Sequence, residues 1–141
     1  MKLFIDANVL FTAAYSPEGT GRALIDLAGA GCCSLFTSAF AVEEARRNLA
    51  LKAAAKLPAF ESILPVVTIV SEPPPDRTKW AQGLPLPLKD APIMAAAVVC
   101  AVDILITGDR RYFGHLYGTT VEGVRVLSPR QALQEVLTAI A

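Results

Sequence analysis

Short apolar runs alternate along this chain with longer stretches whose apolar residues recur at helical spacing. That alternation is the pattern of a sheet of parallel strands joined by crossover helices. Leu3 to Ile5 reads as a first strand. A helix beginning near Thr20 would bury Leu24, Leu27 and Ala28 and stop at Gly29-Ala30-Gly31, after which Ser34 to Phe36 makes a short second strand. Ser38 is placed to cap the next helix, where Val42, Ala45, Leu49 and Ala53 form an apolar stripe. Leu64 to Val70, rich in β-branched residues, reads as strand.

From Ser71 to Leu88 the chain holds Pro73, Pro74, Pro75, Pro85 and Pro87, which predicts irregular backbone with one helical turn around Trp80. A linker between domains is the weaker interpretation, because neither flank is long enough to stand comfortably alone. A helix follows from about Ala91 to Ala101, then a strand, Ile104 to Thr107, apolar enough to be covered on both faces. Val124 to Leu127 is expected as an edge strand. Ser128-Pro129 starts the last helix, with Leu133, Val136, Leu137 and Ile140 as its buried face. No internal repeat or low-complexity tract interrupts this order. The expectation is one α/β domain over residues 1–141.

Composition narrows the class. With 53% hydrophobic against 18% charged residues in 141, a single core rather than extended disorder is expected. The formal net charge of zero neither advertises nor excludes a nucleic-acid partner. Three cysteines, Cys32 and Cys33 adjacent and Cys100 remote, match neither a secreted disulfide framework nor a paired zinc motif, so a reduced, cytoplasmic protein is expected. The first residues enter a strand directly and no apolar run reaches the ~20 residues of a membrane span, which predicts a soluble chain without an export signal.

The chemistry lies in four acids: Asp6, Glu44, Asp90 and Asp109. Asp6 follows a strand and precedes a helix, Asp90 precedes Ala91-Pro92, and Asp109 follows Thr107-Gly108. Each alone reads as a cap or turn residue. The carboxyl ends of strands and the amino ends of helices share one edge of a parallel sheet, the edge where ligands bind, so three caps would still gather three carboxylates. Their repulsion then calls for a cation. Glu44 is chosen over Glu43 because Glu43 has Arg46 and Arg47 at ion-pair spacing, whereas Glu44 interrupts a row with Phe40 and Leu51. Oxygen ligands suit Mg²⁺ or Mn²⁺. One or two ions are both compatible with the set. Asp103, at the opposite end of its strand, reads as structural. His115 is the sole histidine, which excludes a zinc site of several histidines within the chain and leaves a serine–histidine triad only that one imidazole. It reads as a loop residue near Tyr112 and Tyr117. Arg22, Lys89, Arg110 and Arg111 are the cations best placed for phosphates, with a solvated surface as the plain alternative. Tyr112 and Phe113 are candidates for stacking on bases, or for the core.

Three blocks, FIDANVL at 4–10, TSAFAVEEARRNL at 37–49 and KDAPIMAAAVVCAVDILITGDRRYF at 89–113, resemble in order the successive motifs of the PIN-domain family. The resemblance implies a three-layer α/β/α sandwich around a parallel sheet and metal-dependent cleavage of RNA. It also implies kinship with VapC-like toxins, which are held by a small antitoxin and commonly form two-fold dimers. The family's acidic positions fall on Asp6, Glu44 (five residues before Leu49), Asp90 and Asp109, with Asn8 and Thr107 as supporting polar positions. Where some members carry a further acid after the last aspartate, this chain has Arg110, Arg111 and Tyr112, which counts against a fully formed second metal position. For the dimer, Phe40 and Leu51 offer a contact row, unless they pack beneath the Pro-rich segment. Competing functions are an RNA-processing nuclease without an antitoxin, a carboxylate-based phosphatase or phosphotransferase, and an inactive interaction module. Asn8, where a phospho-aspartate enzyme usually has a second aspartate, weighs against the phosphatase. The complete acid set weighs against the inactive module.

Overall fold

Strand β1 (Lys2–Ile5) buries Leu3, Phe4 and Ile5 in succession, so both of its faces are covered and it belongs inside a sheet. In the computed structural model it lies near the middle of six strands ordered β3-β2-β1-β4-β6-β5. The others are β2 (Ser34–Ser38), β3 (Val67–Val70), β4 (Ile104–Ile106), β5 (Thr120–Val121) and β6 (Val124–Leu127). Five strands run parallel, with Leu3 opposite both Leu35 and Ile104 and with Ile106 opposite Leu127. Only β5 is antiparallel, hairpinned onto β6. The structure describes the backbone of residues 1–141 and all side chains except those of Arg111 and Tyr112, so the expectations for those two residues lie outside it.

Helices fill every crossover: α1 (Ala7–Tyr15) and α2 (Thr20–Gly29), α3 (Ala39–Lys52) and α4 (Leu57–Ile63), then α5 (Pro75–Gln82) and α6 (Ala91–Val99). The short α7 (Arg110–Phe113) precedes β5, and α8 (Pro129–Ile140) ends the chain. They flank the sheet, giving the expected α/β/α sandwich. The chain adds β2 and β3 on one side of β1, then crosses to add β4 and β6 on the other. Between β1 and β4 the strand order therefore reverses, and loops at the carboxyl ends of two such strands part to leave a crevice. Gly21 lets α2 press on α1, since a Cβ there would stand 3.2 Å from the Val9 carbonyl and 3.3 Å from Ala13.

Five expectations need correction. Residues 57–63 form α4, led by Pro58 and anchored by buried Phe60 and Ile63, and the strand expected from Leu64 begins only at Val67 after a 3₁₀ turn over Leu64–Val66. The Pro-rich stretch contains two turns of helix in α5 rather than one, because Pro75 sits at its start, where a missing N–H costs nothing. Strand β6 is interior, since β5 covers its outer side. On α8, only Ala132 and Val136 are fully buried; Leu133 is half-buried and Leu137 and Ile140 face outward. The last turns of that helix extend past what it packs on. Its start is as expected, with Ser128 and Gln131 forming a reciprocal capping box. Leu27 and Ala28 of α2 are half-buried, and Ile25 is the core residue beside Leu24.

Candidate active site

Four elements deliver the acids to the crevice between β1 and β4. Asp6 ends β1 and caps α1, its Oδ1 accepting the Ala7 N–H at 2.6 Å. Asp109 follows β4 by way of Thr107 and Gly108, and Glu44 projects from the second turn of α3, half-buried where Glu43 is exposed. Asp90 stands at the start of α6 yet makes no cap bond, and its Oδ2 is buried without a hydrogen-bond partner. The plain interpretation of Asp90 as a cap therefore fails, while that of Asp6 is correct but incomplete. All four carboxylates line one cavity of about 340 Å³.

A network of short bonds fixes Asp6. The Thr107 hydroxyl donates to its Oδ2 at 2.9 Å, and the Asn8 amide donates to the same oxygen and to Thr107 Oγ1, each at 3.3 Å. Asn8 Oδ1 in turn accepts the Gly108 N–H at 2.7 Å, and the Asp109 N–H reaches Thr107 Oγ1 at 3.2 Å. Gly108 permits this close approach; a Cβ there would stand 3.2 Å from Asn8 Oδ1. Asn8 and Thr107 are thus the clasp that joins the end of β1 to the end of β4.

Burial pushes the Asp6 carboxyl up to about 6, against the opposing bonds from Ala7 and Thr107, and the charges of Asp90 and Glu44 push the same way. Asp90 is also raised to about 6, first by burial, then by Asp109 and Glu44, with the Lys89 ammonium working in the opposite direction. Each acid thus lies in the field of others across the cavity. Two buried, mutually repelling carboxylates with one orphaned oxygen present a ready place for a hard cation. Among the described residues no three acidic, histidine or cysteine side chains already stand as a closed metal cage. An open set is compatible with Mg²⁺ or Mn²⁺, since the smaller ion in particular keeps several waters and takes only one or two carboxylates directly. The donor set fits such an ion.

The cations divide. Lys89 lines the cavity, whereas Arg22 turns away, its Nε donating to the Ala13 carbonyl at 3.0 Å to tie α2 to α1. Arg22 is removed from the phosphate-binding set on that ground. Arg110 lines a neighbouring cavity. Sequence reasoning missed Asn48 and Lys52, which also line the acidic cavity. The signal was present, because they follow Glu44 at four and eight residues on the same helical row. His115 is exposed in the turn Gly114–Leu116 and lines no part of the cavity, and Phe113 is fully buried core. Asp103 is structural, accepting the Lys2 N–H at the other end of the sheet. Of the proposed contact row, Phe40 is 37% and Leu51 79% exposed, so neither is buried beneath the Pro-rich segment.

A family profile described as PIN domain matches residues 2–111. No curated protein sequence matches the chain. Among solved structures, PAE2754 from Pyrobaculum aerophilum superposes with a TM-score of 0.71 at 17% identity, covering 98% of this chain and 96% of that one. DNA-bound VapBC from Salmonella typhimurium gives 0.69 at 15%, covering 92% and 98%. VapBC2 from Rickettsia felis, bound to a DNA fragment from its promoter, gives 0.65 at 13%, covering 91% and 98%. At such identities the likeness is one of fold. Among the described residues no helix is long and apolar enough to cross a membrane.

Proposed function

The chain belongs to the PIN-domain family, a family of nucleases that act with divalent ions, and from that premise we propose that it is an Mg²⁺- or Mn²⁺-dependent endoribonuclease. The observation that carries this reading is the convergence of Asp6, Glu44, Asp90 and Asp109 on one cavity in which Asp90 Oδ2 has no partner. A divalent ion there would supply charge neutralisation at phosphorus and a more acidic water. The chain's own residues do the rest. Thr107 and Asn8 hold Asp6 in one orientation by bonds to Oδ2, so the carboxylate needs no rearrangement to act as a ligand. Lys89 and Lys52, at the rim of the same cavity, offset phosphate charge as a strand enters. Hydrolysis transfers water across the phosphodiester, and one product carries a terminal phosphate while the other carries a hydroxyl.

We further infer that the enzyme is the toxin of a toxin–antitoxin pair and works as a homodimer in the cytoplasm. Two structural neighbours come from VapBC assemblies, which favours a small protein partner here. Exposed Phe40 and Leu51 give the dimer an apolar contact. Purified protein incubated with single-stranded RNA should cleave it only with Mg²⁺ or Mn²⁺ and stop on addition of EDTA. Cleavage that persists in EDTA, with contaminating nuclease excluded, rejects the mechanism. Induced expression in a bacterial host should arrest growth, and arrest should vanish with Asp6→Asn. Active enzyme that accumulates without slowing growth removes the toxin role and leaves the nuclease.

A further inference from the structure

We propose that the cavity adjoining the carboxylates is a phosphate subsite, which holds the backbone of an RNA strand one step away from the bond being cut; the placement relative to the cut rests on the nuclease reading above. The cavity measures about 460 Å³ and opens where the N-terminal ends of α2 and α8 meet, with Ser16, Thr20, Tyr117, Arg110 and Arg130 in its wall. Thr12 and Gly108 border this cavity and the acidic one alike, so the two adjoin.

Their electrostatics are opposite. All four site carboxylates border the first cavity, while the second is bordered by two arginines and, among the described residues, by no acid. Three arginines elsewhere are neutralised in place, Arg46 by Glu61 at 2.9 Å, Arg77 by Glu122 at 2.6 Å and Arg125 by Glu135 at 3.2 Å. Neither Arg110 nor Arg130 forms an ion pair among the described residues, and both are exposed. Guanidinium forks match phosphate oxygens in geometry as well as charge. The α2 terminus adds to this field. Its cap residue, Gly19, supplies no side-chain bond to the amides of the first turn, and Gly19, Thr20 and Gly21 border the cavity.

The wall is also tied to the acidic centre. Tyr117 donates its hydroxyl to the Thr107 carbonyl at 2.7 Å, and it is the Thr107 side chain that holds Asp6. A strand whose reactive phosphate lies over the carboxylates has its neighbouring phosphate led into the cationic cavity. The charge alone would also suit an acidic peptide. Adjacency to the carboxylate cavity favours the nucleic acid, because a phosphodiester chain carries a second phosphate at a fixed step from the first.

The test uses the full chain carrying Asp6→Asn, without metal, so that binding is read apart from cleavage. Inorganic phosphate and a short single-stranded RNA should each shift the amide resonances of Thr20 and Gly21. Arg130→Ala and Arg110→Ala should each weaken RNA several-fold and reduce the slope of log affinity against log salt by about 0.7, the value of one phosphate contact on a single strand. Lys79→Ala, at an exposed position of α5, should change neither. Unaltered affinity and salt slope in both arginine variants would overturn the subsite. So would a poly-aspartate peptide that moves these amides when RNA does not. If the variants lose RNA affinity but the wild-type chain never cleaves, the phosphate site stands and the nuclease reading falls.

Discussion

The two ends of the central strands treat their acids in opposite ways. At the amino end, Asp103 Oδ2 accepts the Lys2 N–H at 2.8 Å, the Lys2 ammonium reaches the Cys100 carbonyl at 3.1 Å, and the Asp103 N–H returns to the Lys2 carbonyl at 2.8 Å. That acid is exposed and sits among donors. At the carboxyl end, Asp6 is 4% and Asp90 9% exposed, each in the field of other carboxylates, and one oxygen of Asp90 has no hydrogen-bond partner. A carboxylate that serves only the fold is put where donors and water satisfy it. Burying several together costs stability, and such an arrangement is expected where a cation is to be bound.

The largest effect should come from breaking the charged end. Asp6→Asn or Asp90→Asn keeps side-chain volume and removes a charged ligand, and either should lower metal-dependent RNA cleavage on the order of a thousandfold, about 4 kcal/mol of barrier. Asp103→Asn should leave the rate unchanged. A rate loss of equal size in Asp103→Asn would mean that the contrast between the ends is not about catalysis. Thr107→Val comes next. It removes the bond that orients Asp6 and leaves the isosteric methyl, so cleavage should fall by roughly 10- to 100-fold, the usual range for a residue behind a metal ligand. Serine at the same position should restore most of it.

Much of this contrast was legible in the chain itself, because it depends on where an acid falls relative to a strand. Asp6 after Ile5 and Asp109 after Thr107-Gly108 lie beyond the carboxyl ends of buried strands, Asp103 lies before one, and a parallel sheet turns that order into two edges. Glu44 is likewise set apart from Glu43 by its row with Phe40 and Leu51. What could not be read was set by tertiary contact. The seven-residue α4 has little helical pattern of its own and depends on burying Phe60 and Ile63. Leu137 and Ile140 have core-like spacing, and only the extent of the neighbouring elements decides that they face outward. Arg22 has the right position near the site edge and the wrong direction, a choice made by the nearby Ala13 carbonyl.

Acidity should tune the charged end and spare the other. Asp6 and Asp90, both lying at about 6 without metal, must lose protons to ligate. Apparent Mn²⁺ affinity, measured by calorimetry, should therefore fall roughly tenfold from pH 7.5 to pH 5.5, with proton release on binding that is larger at the lower pH. An affinity that stays flat over that interval would place the ion on other ligands.

The smallest effect has opposite signs at the two ends and is the sharpest form of the comparison. Asp103→Ala should lower unfolding stability by about 1 kcal/mol, the usual worth of one hydrogen bond. Asp6→Asn in EDTA should do the reverse at neutral pH. The native state holds the Asp6 proton up to about 6, above the ordinary carboxylate value of 3.8, so between those values the unfolded chain ionises first and native stability falls as pH rises. Above that window the buried charge is a constant penalty. Asparagine removes it and keeps a carbonyl oxygen for the Ala7 N–H, at the expense of part of the bonding to Thr107 and Asn8, which leaves a net gain on the order of 1 kcal/mol. At pH 4 the wild-type carboxyl is already protonated in the folded state, so the gain should shrink toward zero. Denaturant midpoints of both proteins at pH 4 and pH 7.5 decide it. A variant less stable than wild type at pH 7.5 would show that the bonds around Asp6 outweigh the repulsion, and the acid end would then be held together by its hydrogen bonds despite its charge.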